Sequence, residues 1–262
     1  MPITFGSLFA GIGGFDLGLE NAGMQCEWQV EIDDFATSVL QKHWPNTRRF
    51  RDVKECGYDN LTSVDVICGG FPCQDISRAY RGTRTGLAGE RSGLWFEFQR
   101  IIDELVPTWV IIENNPPLLT SNDGRDLTTI VSRLVEFGYG VCWRILDAKD
   151  FGAGSTRRRL YIVAKLSDVR SPSKVLFKQD EIGKVLPPGE KSPHTFPMCV
   201  GWDGGLSYER LRQCVVTKAD PAREREGDGI SRRMDGRRYR ALGNAVVPQV
   251  VEYIGTRILE QL

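Results

Sequence analysis

The sequence predicts an α/β fold built on a doubly wound, mostly parallel sheet. Short apolar runs alternate with amphipathic helical stretches over the first two-thirds of the chain. Several of those runs are rich in Val and Ile without polar alternation, as in strands covered on both faces. The residue types able to do chemistry fall at the ends of the runs, where ligands gather in such sheets. The predicted strands are Thr4–Phe9, Cys26–Glu31, Val64–Cys68, Trp109–Glu113, Val141–Leu146 and Leu160–Ala164. The predicted helices between them are Gly14–Ala22, Asp34–His43, Gly93–Leu105 and Arg125–Phe137.

The texture changes after Lys165. Residues 167–238 are rich in Pro, Gly and charge with little periodicity, as in PSKVLF, VLPPGEKSPHTFPM and DPAREREGDG. They read as a small irregular domain or a long insertion. Order returns in 239–262, where Val247, Val250, Val251, Ile254, Ile258 and Leu259 recur at helical spacing behind Pro248. Such a helix must bury its apolar face, so it is expected to pack back on the main sheet. The expected organisation is a main domain over 1–166, the irregular unit over 167–238, and a returning segment over 239–262.

Composition narrows the classes. The 262 residues are 41% hydrophobic and 26% charged, ordinary for a soluble globular chain. No apolar run approaches the roughly 20 residues of a membrane span, and the N-terminus lacks a basic start and a cleavage site. Cys26, Cys56, Cys68, Cys73, Cys142, Cys199 and Cys214 are scattered and odd in number, with no CxxC pair. Neither a disulfide framework nor a zinc site is expected, and a reducing, cytoplasmic setting fits best. Charge balances, with 34 basic and 34 acidic residues. The arginines nevertheless cluster: Arg78, Arg81, Arg84 and Arg91, then Arg157, Arg158 and Arg159, then Arg232, Arg233, Arg237, Arg238 and Arg240. Each cluster reads as solvated surface or as a nucleic-acid contact.

The first strand runs into FAGIGGF. Glycines at 11, 13 and 14 let backbone approach a ligand closely, and the following helix N-terminus favours polar groups. The GxGxxG dinucleotide pattern fails because Asp16 stands where its last glycine would be, and the GK[ST] of a P-loop is missing. A nucleoside ligand without a pyrophosphate fits better; a plain tight turn is the bland alternative. Glu31, about twenty residues on, stands where an acid can accept from ribose hydroxyls. Asp52 is a candidate third contact, or simply an exposed surface acid.

Cys68 lies inside the VDVIC strand and reads as core. Cys73 follows GGFP outside it, in polar company, and a thiol of pKa about 8.5 needs activation to act as a nucleophile. The next strand ends at Glu113, and neighbouring strand tips meet at one crevice. A papain-like pair would need a histidine, and His43 and His194 lie in unrelated contexts. A thiolate with a carboxyl suits attack on a pyrimidine: protonation of ring N3 makes C6 electrophilic and the thiolate adds there, an acid contribution of about 10²–10⁴-fold.

These residues, in the order FAGIGGF, VEID, GGFPCQDIS, RSGLWFEF, ENN, TRRRLYIVA and ALGNAVVPQ, resemble the cytosine-C5 DNA methyltransferases, close to the short phage and bacterial forms. The resemblance implies a Rossmann-like S-adenosylmethionine-dependent methyltransferase fold, with S-adenosylhomocysteine as product and no metal. It implies that Phe9, Ala10, Gly11, Gly13, Glu31, Ile32, Asp52, Val53, Pro72 and Leu94 line the donor pocket, closed by Asn244 and Val246. It makes Cys73 the nucleophile, Glu113 the N3 proton donor, and Arg157 and Arg159 the pair holding the flipped base and its surroundings. Ser77 falls in a catalytic loop that closes over DNA, within a basic lid carrying Arg78, Arg81 and Arg84. Target recognition falls in the 167–238 unit, where Arg232 and Arg233 are candidate DNA contacts. Duplex DNA is the implied partner of a monomeric enzyme, and a cognate restriction endonuclease is a candidate second partner.

The chain departs from the family pattern at Asn115 (usually Val), at Gly154 and Ser155 (usually Pro-Gln), and at Arg158 (often Glu). A zinc cytidine deaminase would need HxE and PCxxC, and PCQD supplies neither. An RNA cytosine methyltransferase of the same fold and a non-catalytic DNA-binding relative remain as alternatives.

Overall fold

A computed structural model describes residues 2–72, 93–154, 156–177, 198–200 (backbone only) and 241–262. Its centre is an eight-stranded sheet in the order β3-β2-β1-β4-β5-β7-β6-β8. The strands are β1 (Thr4–Leu8), β2 (Gln25–Val30), β3 (Arg48–Phe50), β4 (Val66–Gly69), β5 (Trp109–Asn114), β6 (Tyr139–Asp147), β7 (Arg158–Leu166) and β8 (Met198–Val200). The first five pair in parallel. β7 then runs antiparallel to β5, and β6 antiparallel to β7. This is the doubly wound, mostly parallel sheet that the buried Val and Ile runs predict.

Helices cover both faces: α1 (Gly14–Asn21), α2 (Asp34–His43), α3 (Leu94–Leu105), α4 (Arg125–Glu136), α5 (Ser171–Leu176) and α6 (Pro248–Leu259). Strand alternation divides the core in two. Val110 and Ile112 of β5 face the layer of Trp95, Phe98 and Ile101 from α3 and Ile130 and Leu134 from α4. Trp109 and Ile111 face Phe15 and Leu19 from α1, Val175 and Leu176 from α5, and Val250, Ile254 and Ile258 from α6. The last helix therefore returns to the sheet, as its apolar spacing requires.

α1 and α6 touch through backbone. A Cβ added at Gly18 would lie 2.6 Å from the Pro248 carbonyl oxygen and 2.6 Å from the Val251 Cβ. Gly18→Ala is expected to force the helices apart and cost about 1–3 kcal/mol, like other overpacked core sites. A fall in thermal midpoint checks this.

The sequence expectations miss β3, β8 and α5. β3 is three residues, RRF, at the sheet edge, too short to show periodicity. α5 begins Ser-Pro, which reads as loop, yet Val175, Leu176 and Phe177 are fully buried. Cysteine usage also differs from expectation. Cys142 of β6 stands opposite Cys199 of β8 in the register, and Cys142 is disulfide-bonded, although only unpaired thiols were expected. Spacing along the chain gives no view of which strands bring two cysteines together. Among the described residues no helix is long and apolar enough to cross a membrane.

Candidate active site

The carboxyl ends of β1 to β5, the end of β6 and the start of β7 share one edge of the sheet, because β7 alone of these runs the other way. The turn after β1 is held in left-handed backbone at Phe9 (φ 54°), Gly11 (φ 57°) and Gly13 (φ 89°). For Phe9 that conformation is strained. Its ring stands edge-on to Phe98 at 6.3 Å, and the next amide, Ala10 N–H, donates to the Val30 carbonyl at 3.1 Å. Gly11 N–H donates to Glu31 Oε2 at 2.7 Å, while Glu31 Oε1 accepts from Asp33 N–H at 2.8 Å. A Cβ on Gly13 would collide with the Trp44 ring, which is fixed by its own Nε1 donating to Glu20 Oε2 at 2.7 Å. A Cβ on Gly11 would meet no atom of the described residues within 4 Å. The turn is thus clamped from behind and open in front.

Behind it lies a buried carboxylate. Asp16, in the first turn of α1, is fully buried and accepts from Gln29 Nε2 at 2.8 Å, Ser7 Oγ at 3.3 Å and the Cys26 thiol at 3.4 Å. Burial pushes its pKa up to about 6 against the pull of those donors. Gln29 Oε1 in turn accepts from Arg49, whose guanidinium also donates to the Trp44 carbonyl at 2.7 Å. One polar chain therefore links β1, β2, β3 and the end of α2 beneath the turn.

Further along the edge, Ile32 is 64% exposed beside Glu31, an apolar side chain left facing outward at a strand tip. Arg51 donates to the Ile32 carbonyl and pairs with Asp34, fixing that tip. Asp52 caps the short helical turn Val53–Glu55 by accepting from Lys54 N–H at 3.0 Å, and Val53 is buried beneath it. Leu94 opens α3 and packs on the same core layer as Phe9.

Glu113 sits at the tip of β5, with its Oε1 held by Arg159 Nε at 3.0 Å. A Cβ on Gly70 would lie 3.1 Å from Glu113 Oε2, so the glycine backbone after β4 abuts the acid. Asn114 Nδ2 donates to the Phe71 carbonyl at 3.3 Å and ties the same loop to β5. Burial raises the Glu113 pKa; Arg159 and then Arg157 pull against it without cancelling it. The loop is described as far as Pro72; Cys73, Ser77, Arg78, Arg81, Arg84, Ser155, Arg232 and Arg233 lie outside the described residues.

Arg157 and Arg159 go to different partners. Arg157, 8% exposed, donates from Nη1 to the Gly243 carbonyl at 2.7 Å. The segment from Gly243 then passes exposed Asn244 and reaches Val246, whose carbonyl lies against Gly14 at the start of α1. The predicted Phe9, Ala10, Gly11, Gly13, Glu31 and Ile32 thus share one tip of the edge, with Val246 beside them. Glu113, Arg159 and the loop leading past Pro72 share the next. The residues the sequence reading passed over are Trp44, Arg49, Gly70, Asn114 and Asp16. Asp16 left a signal: an acid between Phe15 and Leu19 on the apolar face of a helix.

Three comparisons bear on this arrangement. The family model described as C-5 cytosine-specific DNA methylase matches residues 3–190. The type II methyltransferase M2.BsuMI of Bacillus subtilis is 38% identical over 178 residues, covering 66% of this chain and 44% of that one. M.Sau96I of Staphylococcus aureus is 26% identical, covering 97% and 75%. For M.NlaX of Neisseria lactamica the match covers 58% of the relative, so the chain spans about half the length of several relatives it matches. Among solved structures, a DNA modification methyltransferase encoded within an E. coli prophage superposes with a TM-score of 0.65 at 18% identity, covering 98% and 99% of the two chains. The Entamoeba histolytica methyltransferase EhMeth gives 0.65 at 16% identity, covering 100% and 99%. Those two share the fold, and the sequence match, which takes in every strand from β1 to β7, assigns the chain to the C-5 cytosine-specific DNA methylase family.

Proposed function

We propose that the protein is a DNA (cytosine-5-)-methyltransferase that takes its methyl group from S-adenosylmethionine and acts on a cytosine rotated out of duplex DNA. One observation carries the reading: a buried acid with a raised pKa, Glu113, abuts the loop that leads to Cys73, and that loop separates it from the clamped glycine turn. A carboxyl that keeps its proton to higher pH is what N3 protonation needs.

The donor pocket is formed by Phe9, Ala10, Gly11, Gly13, Glu31, Ile32, Asp52, Val53, Pro72 and Leu94, with Asn244 and Val246 closing it. The open space before Gly11, the acid at Glu31 and the outward-facing Ile32 fit a nucleoside with a ribose and a flat apolar base. The donor, when bound, supplies an electrophilic methyl group beside the pyrimidine. Cys73 sulfur adds to C6, and Glu113 gives a proton to N3. C5 gains the methyl, a base removes the C5 proton, the sulfur leaves C6 with its electron pair, and N3 returns its proton to the Glu113 carboxylate. Arg159 holds one oxygen of Glu113, leaving Oε2, on the Gly70 side, to carry the proton. Ser77, Arg78, Arg81 and Arg84 belong to a basic lid over DNA phosphate, and Arg232 and Arg233 to the target-recognition unit within 167–238. We place the enzyme in the cytoplasm as a monomer acting without a metal, with a restriction endonuclease as the candidate partner of a type II pair.

The test is transfer of tritium from labelled S-adenosylmethionine onto duplex DNA and onto tRNA in parallel, followed by bisulfite sequencing of DNA from expressing cells. Label in DNA and protected cytosines in one sequence context are expected. Label confined to tRNA, or none with a donor-binding protein, sinks the reading.

A further inference from the structure

The segment 243–246 joins the two tips of the site. At one end Arg157 grips the Gly243 carbonyl across 86 residues of sequence. The backbone of Arg157 is itself fixed, its N–H donating to Asp147 Oδ1 at 3.2 Å and its carbonyl accepting from Ala148 N–H at 3.0 Å. At the other end the Val246 carbonyl occupies the place where any side chain at Gly14 would be. Gly14 directly follows the glycine turn. Two residues beyond Arg157, Arg159 holds Glu113.

Residues 241–244 are helical, and the last carbonyls of a helical turn have no partner within it, so a cation there is favourable. A guanidinium as buried as Arg157 must be paired inside the protein; an arginine serving DNA phosphate is normally an exposed one. From this geometry we infer that Arg157 is a positioning residue for the methyl-donor pocket: it anchors the 243–246 strap over the glycine turn and does not contact DNA. The inference rests on the reading of that turn as the donor site. Through the strap and through Arg159, the start of β7 ties donor closure to the acid that serves the base.

Arg157→Met removes the bond and keeps the packing; Arg157→Lys keeps a charge and a single donor. Three measurements separate the roles. Hydrogen exchange at the Ala245 and Val246 amides, without ligand, reports the strap. Calorimetric binding of S-adenosylhomocysteine, without DNA, reports the pocket. Duplex DNA affinity against salt concentration reports phosphate contacts. With Arg157→Met, strap exchange should accelerate and S-adenosylhomocysteine affinity fall about 10- to 100-fold, the scale of a bond to a charged group. The salt slope should be unchanged, and Arg157→Lys should recover part of both losses. Unchanged donor affinity with a salt slope smaller by about one makes Arg157 a phosphate contact and overturns the inference. If the parent protein binds no S-adenosylhomocysteine, the donor reading fails instead, and strap exchange still decides the anchor: equal exchange in parent and variant overturns it. Should Arg157→Met not fold, the same three readings on Arg157→Lys decide.

Discussion

Glu113→Gln is expected to lower methyl transfer about 10²–10⁴-fold, the contribution of a positioned general acid, and Cys73→Ser to abolish it, with S-adenosylhomocysteine binding retained in both. The two variants differ in their pH behaviour. In the proposed mechanism the parent rate needs Cys73 as thiolate and Glu113 as acid, so it should rise with pH on the Cys73 limb and fall on the Glu113 limb. Burial raises the Glu113 pKa above the usual carboxylate range, so the protonated form persists to higher pH and is lost as pH climbs through the raised value. Glutamine has no proton to lose, so the alkaline limb should flatten in Glu113→Gln while the residual rate still climbs with thiolate. Arg159 and Arg157 are the groups that pull this pKa down, and Arg159→Ala should carry the alkaline limb further up in pH while lowering the rate through loss of orientation. Initial rates of tritium transfer from pH 5 to 9 measure this. An alkaline limb that survives unchanged in Glu113→Gln assigns the proton to another group.

The parts of the fold legible in the sequence are those where local chemistry and burial agree. Asp34–His43 was readable to the residue because Asp33 is a true cap, accepting from Ala36 N–H at 2.8 Å, and Trp44 leaves helical geometry. The β5 run WVIIEN is buried at every position, so it shows as an apolar stretch that ends at the acid Glu113 and Asn114. β6 and β7 extend beyond the expected cores because their ends carry Tyr139, Gly140, Arg158 and Arg159, whose strand conformation comes from the antiparallel ladder between them. The place of Glu113 was readable because a charge after four apolar residues marks the tip of a buried strand. The different partners of Arg157 and Arg159 were not, because one of them is a backbone carbonyl at Gly243, and backbone acceptors leave no mark on composition. The front of the glycine turn was likewise legible as glycine, whereas its back, built from Trp44, Arg49 and Gln29, depends on strand order alone.

Asp16→Asn is expected to stabilise the protein at pH 7.5 and to lose that advantage near pH 4. The carboxyl is fully enclosed, and its pKa stands at about 6 in the fold against 3.8 when exposed. Between those values the folded chain holds a proton the unfolded chain has released, so parent stability declines as pH rises from about 4 to 6 and is flat above. The shift of roughly 2 units corresponds to about 3 kcal/mol. Asparagine removes the buried charge yet fits the same partners: its oxygen can accept from Gln29 and Cys26, and its amide can donate to Ser7, whose hydroxyl also accepts. The midpoint difference between variant and parent should therefore open from near zero at pH 4 to roughly 5–10 °C at pH 7.5. Scanning calorimetry at four pH values tests the claim. A difference that is constant with pH would mean that Asp16 does not titrate across this window and that its three donors, rather than burial, govern its charge.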